Sequence, residues 1–208
     1  MKKIGALAGL FLFAILAGGC FLHPMVSNQG ITLRHSSANA HSQVLVVYYS
    51  HSGNTRRAAE NLASLLQGDL YEIKPATSYP ALPALAHLRS SAEEQFSWLP
   101  DLAGPLPDLS GYQLVLIGGP GWRDKVARPL VSWLALNDLS GKKVAPFWTS
   151  DGDADAYAAD FAAQLAPVPA KGLKLSPAGN LTDAALQELL VDWLVRSQLV
   201  PLAAQMGE

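Results

Sequence analysis

"VLVVYYSHSGNTRRAAENLASLLQG", residues 44–68, places an apolar run, a polar loop and a helical repeat in immediate succession. Val44 to Tyr49 is continuously apolar and rich in β-branched side chains, the pattern of a strand covered on both faces. Ala58, Ala59, Leu62, Leu65 and Leu66 recur at helical spacing, and Gly68 is placed to stop the helix. Between them lie Ser50, His51, Ser52, Gly53, Asn54 and Thr55. A strand that passes straight into a helix through such a loop is the first half of a strand–helix–strand unit.

The alternation continues to the end of the chain. "LYEIKP" (70–75), "YQLVLIGG" (112–119), "KKVAPFWTS" (142–150) and a weaker "KGLKLSP" (171–177) have strand character. "PALPALAHLRSSAEEQFSWLP" (80–100), "ARPLVSWLAL" (127–136), "DADAYAADFAAQL" (153–165) and "TDAALQELLVDWLVRSQ" (182–198) are predicted helices. Trp133 and Trp193 fall on apolar helix faces and are expected in the core. The expected fold class is α/β, a three-layer sandwich around a five-stranded doubly wound parallel sheet. In such sheets ligands bind beyond the carboxyl ends of the strands, at the switch in strand order. That selects three loops: "SHSGNT" (50–55), "GPGWRDK" (119–125) and "TSDGDADA" (149–156).

The first loop opens a helix, whose unsatisfied N–H groups and positive partial charge attract anions. Gly53 permits close backbone approach, Ser50, Ser52 and Thr55 supply hydroxyls, and Asn54 supplies an amide. No lysine follows, so the triphosphatase pattern G-x-x-x-x-G-K-[ST] fails, as does the dinucleotide pattern G-x-G-x-x-G. The donors suit a single phosphate held by neutral groups; the plainer alternative is a helix cap without a ligand. Arg56 and Arg57 either offset a phosphate's charge or decorate a solvated helix turn. His51 beside Ser52 does not signal nucleophilic catalysis, because no G-x-S-x-G elbow occurs.

Ser50-His51-Ser52-Gly53-Asn54-Thr55 resembles the phosphate loop S/T-x-T/S-G-N-T of the flavodoxin-like family, and the resemblance extends over residues 44 to about 196. It implies a bound flavin mononucleotide (FMN), with its phosphate on residues 50–55. Gly119-Pro120-Gly121-Trp122 resembles the G-x-P-x-W stretch of one branch, in which the tryptophan covers a face of the isoalloxazine; a tryptophan packed against its own domain is the alternative. Pro120, Gly121, Trp122 and Arg123 are the corresponding candidate residues. Arg123 and Asp124 depart from the branch, which carries an aromatic residue and then glycine there, so Asp124 is expected to obstruct the ring or force a different turn. "FWTSDG" (147–152) resembles the fourth-strand loop F-x-T-x-G-G, giving Thr149, Ser150, Asp151 and Gly152 as candidates, with Asp151 in place of the first glycine. "GKKV" (141–144) before that strand also matches the branch. Asp151, Asp153 and Asp155 alternate as in a calcium loop, but Ala156 and Ala162 stand at the sixth and twelfth positions. These acids are read as helix-capping charges, and no metal site is expected.

The N-terminus carries a separate signal. "MKK" is followed by a 16-residue apolar stretch, Ile4 to Gly19, short of the roughly 20 residues that span a bilayer. "LAGGC" (16–20) resembles a bacterial lipoprotein box, which implies a signal peptide over 1–19 and lipidation of Cys20, the single cysteine; Ala17 stands where that box prefers leucine. Residues 20–42 are expected to form a lipidated tether and residues 43–208 the domain. Loss of Lys2 and Lys3 would leave 13 basic against 17 acidic residues, a formal charge of −4, which does not suit nucleic acid.

Together the resemblances imply a flavoprotein of the bacterial cell envelope, facing the periplasm, with the outer membrane favoured over the inner because Phe21 rather than aspartate follows Cys20. Its expected role is electron transfer or reduction of a small acceptor, with a redox protein or a quinone-like molecule as partner. A scaffold or binding module that has lost its flavin is the alternative, to which Arg123, Asp124 and Asp151 point.

Overall fold

The computed structural model describes residues 43–165, 169–176 and 181–200. The expected signal peptide and tether lie outside the described residues.

Five parallel strands form the sheet: β1 (Val44–Tyr48), β2 (Asp69–Glu72), β3 (Leu114–Trp122), β5 (Lys143–Thr149) and β6 (Leu173–Leu175). Their order is β2-β1-β3-β5-β6, with a short antiparallel β4 (Lys125–Val126) added to the end of β3. The helices are α1 (Asn54–Leu66), α2 (Pro83–Gln95), α3 (Arg128–Leu136), α4 (Ala154–Ala163) and α5 (Asp183–Arg196). This is the doubly wound three-layer sandwich expected from the alternating pattern, with its switch in strand order between β1 and β3.

Strand alternation divides the core in two. Leu45, Val47, Val115, Ile117, Val144 and Trp148 point to one side, where α2, α3 and α4 supply Ala86, Leu130, Trp133, Tyr157 and Phe161. Val46, Tyr48, Leu116, Ala145 and Phe147 point to the other, against Ala58 and Leu62 of α1 and Leu186, Leu190 and Trp193 of α5. Trp133 and Trp193 are both buried, as their place on helix faces predicts. Space over the sheet is tight: a Cβ on Gly118 would lie 2.1 to 2.7 Å from the Phe147 ring.

Two local outcomes differ from the sequence reading. α1 ends at Gln67, which takes the left-handed conformation (φ 48°) expected of a glycine. Gly68 N–H then reaches back to Ala63 O (2.9 Å) and Gln67 N–H to Ser64 O (3.3 Å), so the chain closes as a Schellman motif. Gly68 instead sits close to β1, where a Cβ would stand 3.1 Å from Val44 O. The second difference concerns residues 119–122, read as loop. β3 continues through Trp122 and reverses at once into β4, pairing Trp122 with Lys125. The two turn residues, Arg123 (φ 52°) and Asp124 (φ 60°), are both left-handed, as in a type I′ hairpin.

Candidate functional site

The carboxyl ends of β1, β3 and β5 bring all three selected loops together. Thr55 at the start of α1 is buried, and its hydroxyl meets the Thr149 hydroxyl at the end of β5 (2.9 Å). His51 lies edge-on to Trp122, with ring centroids 5.8 Å apart. A Cβ on Gly121 would come within 2.8 Å of Ser150 Cβ, so β3 and the loop after β5 are in close contact. Asp124 Oδ1 accepts the N–H of Asp153 (2.7 Å), and it occupies the place a Gly152 Cβ would take.

The loop at residues 50–55 is built to leave donors forward. Gly53 adopts φ +93°, and a Cβ there would meet nothing within 4 Å. Glycine is therefore required by conformation rather than by crowding. Ser50 Oγ accepts the Gly53 N–H (3.1 Å). No side chain caps α1, and its first intrahelical bond is Arg57 N–H to Gly53 O (3.0 Å). The N–H groups of Asn54, Thr55 and Arg56 precede that bond, at the positive end of the helix dipole. Ser52 is exposed beside them. The helix-cap alternative would have placed a serine or asparagine side chain on this terminus. Arg56 is paired with Glu72, and Arg57 donates to Asp183 Oδ1 (3.0 Å from Nε) and Leu181 O (2.8 Å). Both arginines are thus tied to other elements, and the first N–H groups of α1 are neutral donors.

The surroundings of Trp122 are more crowded. Trp122 is only 8% exposed and sits in a cluster with Tyr49 (5.9 Å, edge-on), Tyr79 (5.3 Å) and His87 of α2 (5.6 Å), besides His51. Burial pushes the Tyr49 and Tyr79 hydroxyls up, and Tyr79 further because it donates to the Glu93 carboxylate. Arg89 holds that carboxylate from the other side (Nε to Oε1, 2.8 Å), bonds Thr77 O and Ser78 O (3.0 Å each) and stands 4.1 Å over the Tyr79 ring. This network pins the chain after β2 to α2 beneath Trp122. Tyr49, Tyr79, His87, Arg89 and Glu93 were not legible as site residues. Tyr49 follows β1, Tyr79 precedes α2, and His87, Arg89 and Glu93 lie on α2, with no motif linking them to Trp122.

In the loop after β5, side chains take several backbone donors. Ser150 Oγ accepts Gly152 N–H (2.9 Å), and Asp153 Oδ1 accepts the N–H groups of Asp155 (2.8 Å) and Ala156 (3.0 Å). Those bonds, Ala156 first, hold the Asp153 carboxyl below the usual carboxylate range. Asp153 is thus the N-cap of α4, as its sequence position suggests. Asp151 is exposed. Among the described residues no group of three or more His, Cys, Asp or Glu is placed to hold a metal ion.

The comparisons with known proteins bear on this architecture. A family model described as flavodoxin matches residues 43–195. A proposed flavoprotein of Bacteroides eggerthii is 31% identical, with a TM-score of 0.64, over 76% of this chain and 98% of its own. A second, of Bacteroides uniformis, is 29% identical with a TM-score of 0.64, over 73% of this chain and 99% of its own. A flavoprotein of Lactobacillus acidophilus, solved in complex with FMN, is 26% identical with a TM-score of 0.57, over 66% of this chain and 94% of its own. No match is found among curated proteins.

Proposed function

The chain belongs to the flavodoxin family, and from that membership we propose that it binds FMN and serves in electron transfer or in reduction of a small, quinone-like acceptor. The observation that carries this reading is the start of α1 behind Gly53, whose first N–H groups no side chain caps. The backbone N–H groups of residues 54–56 and the exposed Ser52 hydroxyl would hold the phosphate. The FMN complex of the Lactobacillus acidophilus relative supports the same cofactor. Bound FMN would supply the electron chemistry, while the chain binds it, orients it and limits its contact with water. We further propose that Cys20 is lipidated and holds the domain at the cell envelope, facing the periplasm. An electron donor there would be a protein.

Calorimetry with FMN and riboflavin tests the site, because the two differ by the phosphate. Charge-assisted hydrogen bonds contribute roughly 1.5–3 kcal/mol each. FMN should therefore bind more than tenfold more tightly, and Ser52→Ala should narrow the gap. Equal affinities would remove the phosphate site.

Specific observations favour a second reading, a flavodoxin fold that binds partners without flavin. Trp122 is buried, and Ser150 and Asp124 already accept the N–H groups of Gly152 and Asp153. The visible spectrum of the purified protein separates the readings. A colourless protein that takes up neither flavin supports the second.

A further inference from the structure

α2 has an outward apolar face that no described residue covers. Leu82, Leu85, Leu88, Ala92 and Phe96 follow one another at spacings of three and four, so they form a single stripe along the helix. Leu88 is 66% exposed and Leu85 49%. Phe96 stacks on Trp98 (5.1 Å, 30°), and Trp98 is 62% exposed. The other four tryptophans are all buried. The surface continues past Trp98 into a groove of about 430 Å3 whose lining includes Leu99, Leu102, Leu106 and Leu136.

The surface is also electrically quiet. From Pro75 to Leu88 the chain has no charged residue. Beyond it, Arg89 pairs with Glu93 and Arg123 with Glu94, Arg128 donates to Trp98 O, and Asp101 lines the groove. A charged protein partner would find little to complement beside one arginine and one aspartate at the edge of the stripe. Leucines with exposed tryptophan and phenylalanine suit the boundary between lipid headgroups and acyl chains, where an aromatic ring has one apolar and one wet side.

We propose that the α2 stripe and the Phe96–Trp98 pair dock on the surface of a lipid bilayer. This rests on the Cys20 anchor of the preceding section. The 22 residues between Cys20 and Gln43 reach roughly 75 Å at full extension, and a domain of this size is about 40 Å across. The anchor therefore allows this face to meet the membrane. α2 also borders the candidate site, through His87 against Trp122 and Glu94 with Arg123. Docking would turn the ring end of that site toward the membrane, where an apolar acceptor dissolves.

The experiment uses the full lipidated chain in phosphatidylcholine vesicles with brominated acyl chains, which quench nearby tryptophan. Wild-type emission should be quenched, and Trp98→Phe should abolish the quenching. The quenching should persist at roughly 1 M salt, where the Debye length is about 3 Å. Leu85→Asp with Leu88→Asp should remove it, while the protein still floats with the vesicles and keeps its circular dichroism. A protein that floats without Trp98-dependent quenching overturns the docking face and leaves the anchor standing. One that does not float overturns both. A wild-type dimer in detergent that the double aspartate variant converts to monomer would assign the face to a second copy instead.

Discussion

Gly118 shows how one missing methyl group can hold two strands together. It pairs beside Phe147, whose ring fills the space a Cβ would need. Gly118→Ala should cost about 1–3 kcal/mol by overpacking, read as a lower denaturation midpoint with an unchanged slope. Phe147→Leu in the same chain should recover part of the loss. Asp153 makes a different kind of contribution, one that depends on pH. Its folded pKa is depressed by the N–H groups of Ala156 and Asp155. Its stabilisation is thus present above the unfolded value of about 3.9 and is lost as pH falls through the folded value. Asp153→Ala should lower the melting temperature at neutral pH, and the difference from wild type should shrink as the solution is acidified. A difference that stays constant with pH would show that the carboxylate is not the cap.

At the scale of elements, the ends are where local chemistry and the fold compete. α1 closes with Gln67 in a conformation that suits glycine, because the chain must reverse there to begin β2. Gln67→Gly should stabilise the protein by about 1 kcal/mol, since the left-handed strain disappears; urea denaturation measures it. The β3–β4 hairpin is held by two non-glycine left-handed residues, and Asp124 ties it to the loop after β5. Asp124→Gly should ease the turn while releasing the Asp153 N–H. Hydrogen exchange at that amide should then quicken, with little change at the buried β5 amides. The element pattern of residues 44–200 was readable from periodicity, whereas the hairpin was not. "GPGWRDK" (119–125) lacks the Asn-Gly or Asp-Gly pair that marks such a turn, and only pairing with β3 makes its geometry worthwhile.

The whole molecule has a sheet whose carboxyl edge gathers three loops, and the apolar stretch Ile4 to Gly19 before Cys20 is proposed to direct export. If Cys20 is the anchor, Cys20→Ala should move the protein from the membrane fraction to the soluble fraction of the envelope, as followed by fractionation and blotting. A variant that stays in membranes would assign retention to another part of the chain.

The sequence by itself determined the layer architecture, the three loops gathered at the carboxyl ends of the strands and the neutral character of the first loop. These follow from period-two and period-3.6 burial and from the position of "SHSGNT" (50–55) between a strand and a helix. Only the tertiary structure decided what surrounds Trp122. Tyr49, Tyr79 and His87 reach it from three segments, and the ion pair of Arg89 and Glu93 holds one of them in place. The same is true of Arg56 and Arg57, whose carboxylate partners lie on β2 and at the start of α5. Periodicity records which face of an element is buried. Which side chains meet across elements depends on how the layers pack, and that information is not local to any stretch of the chain.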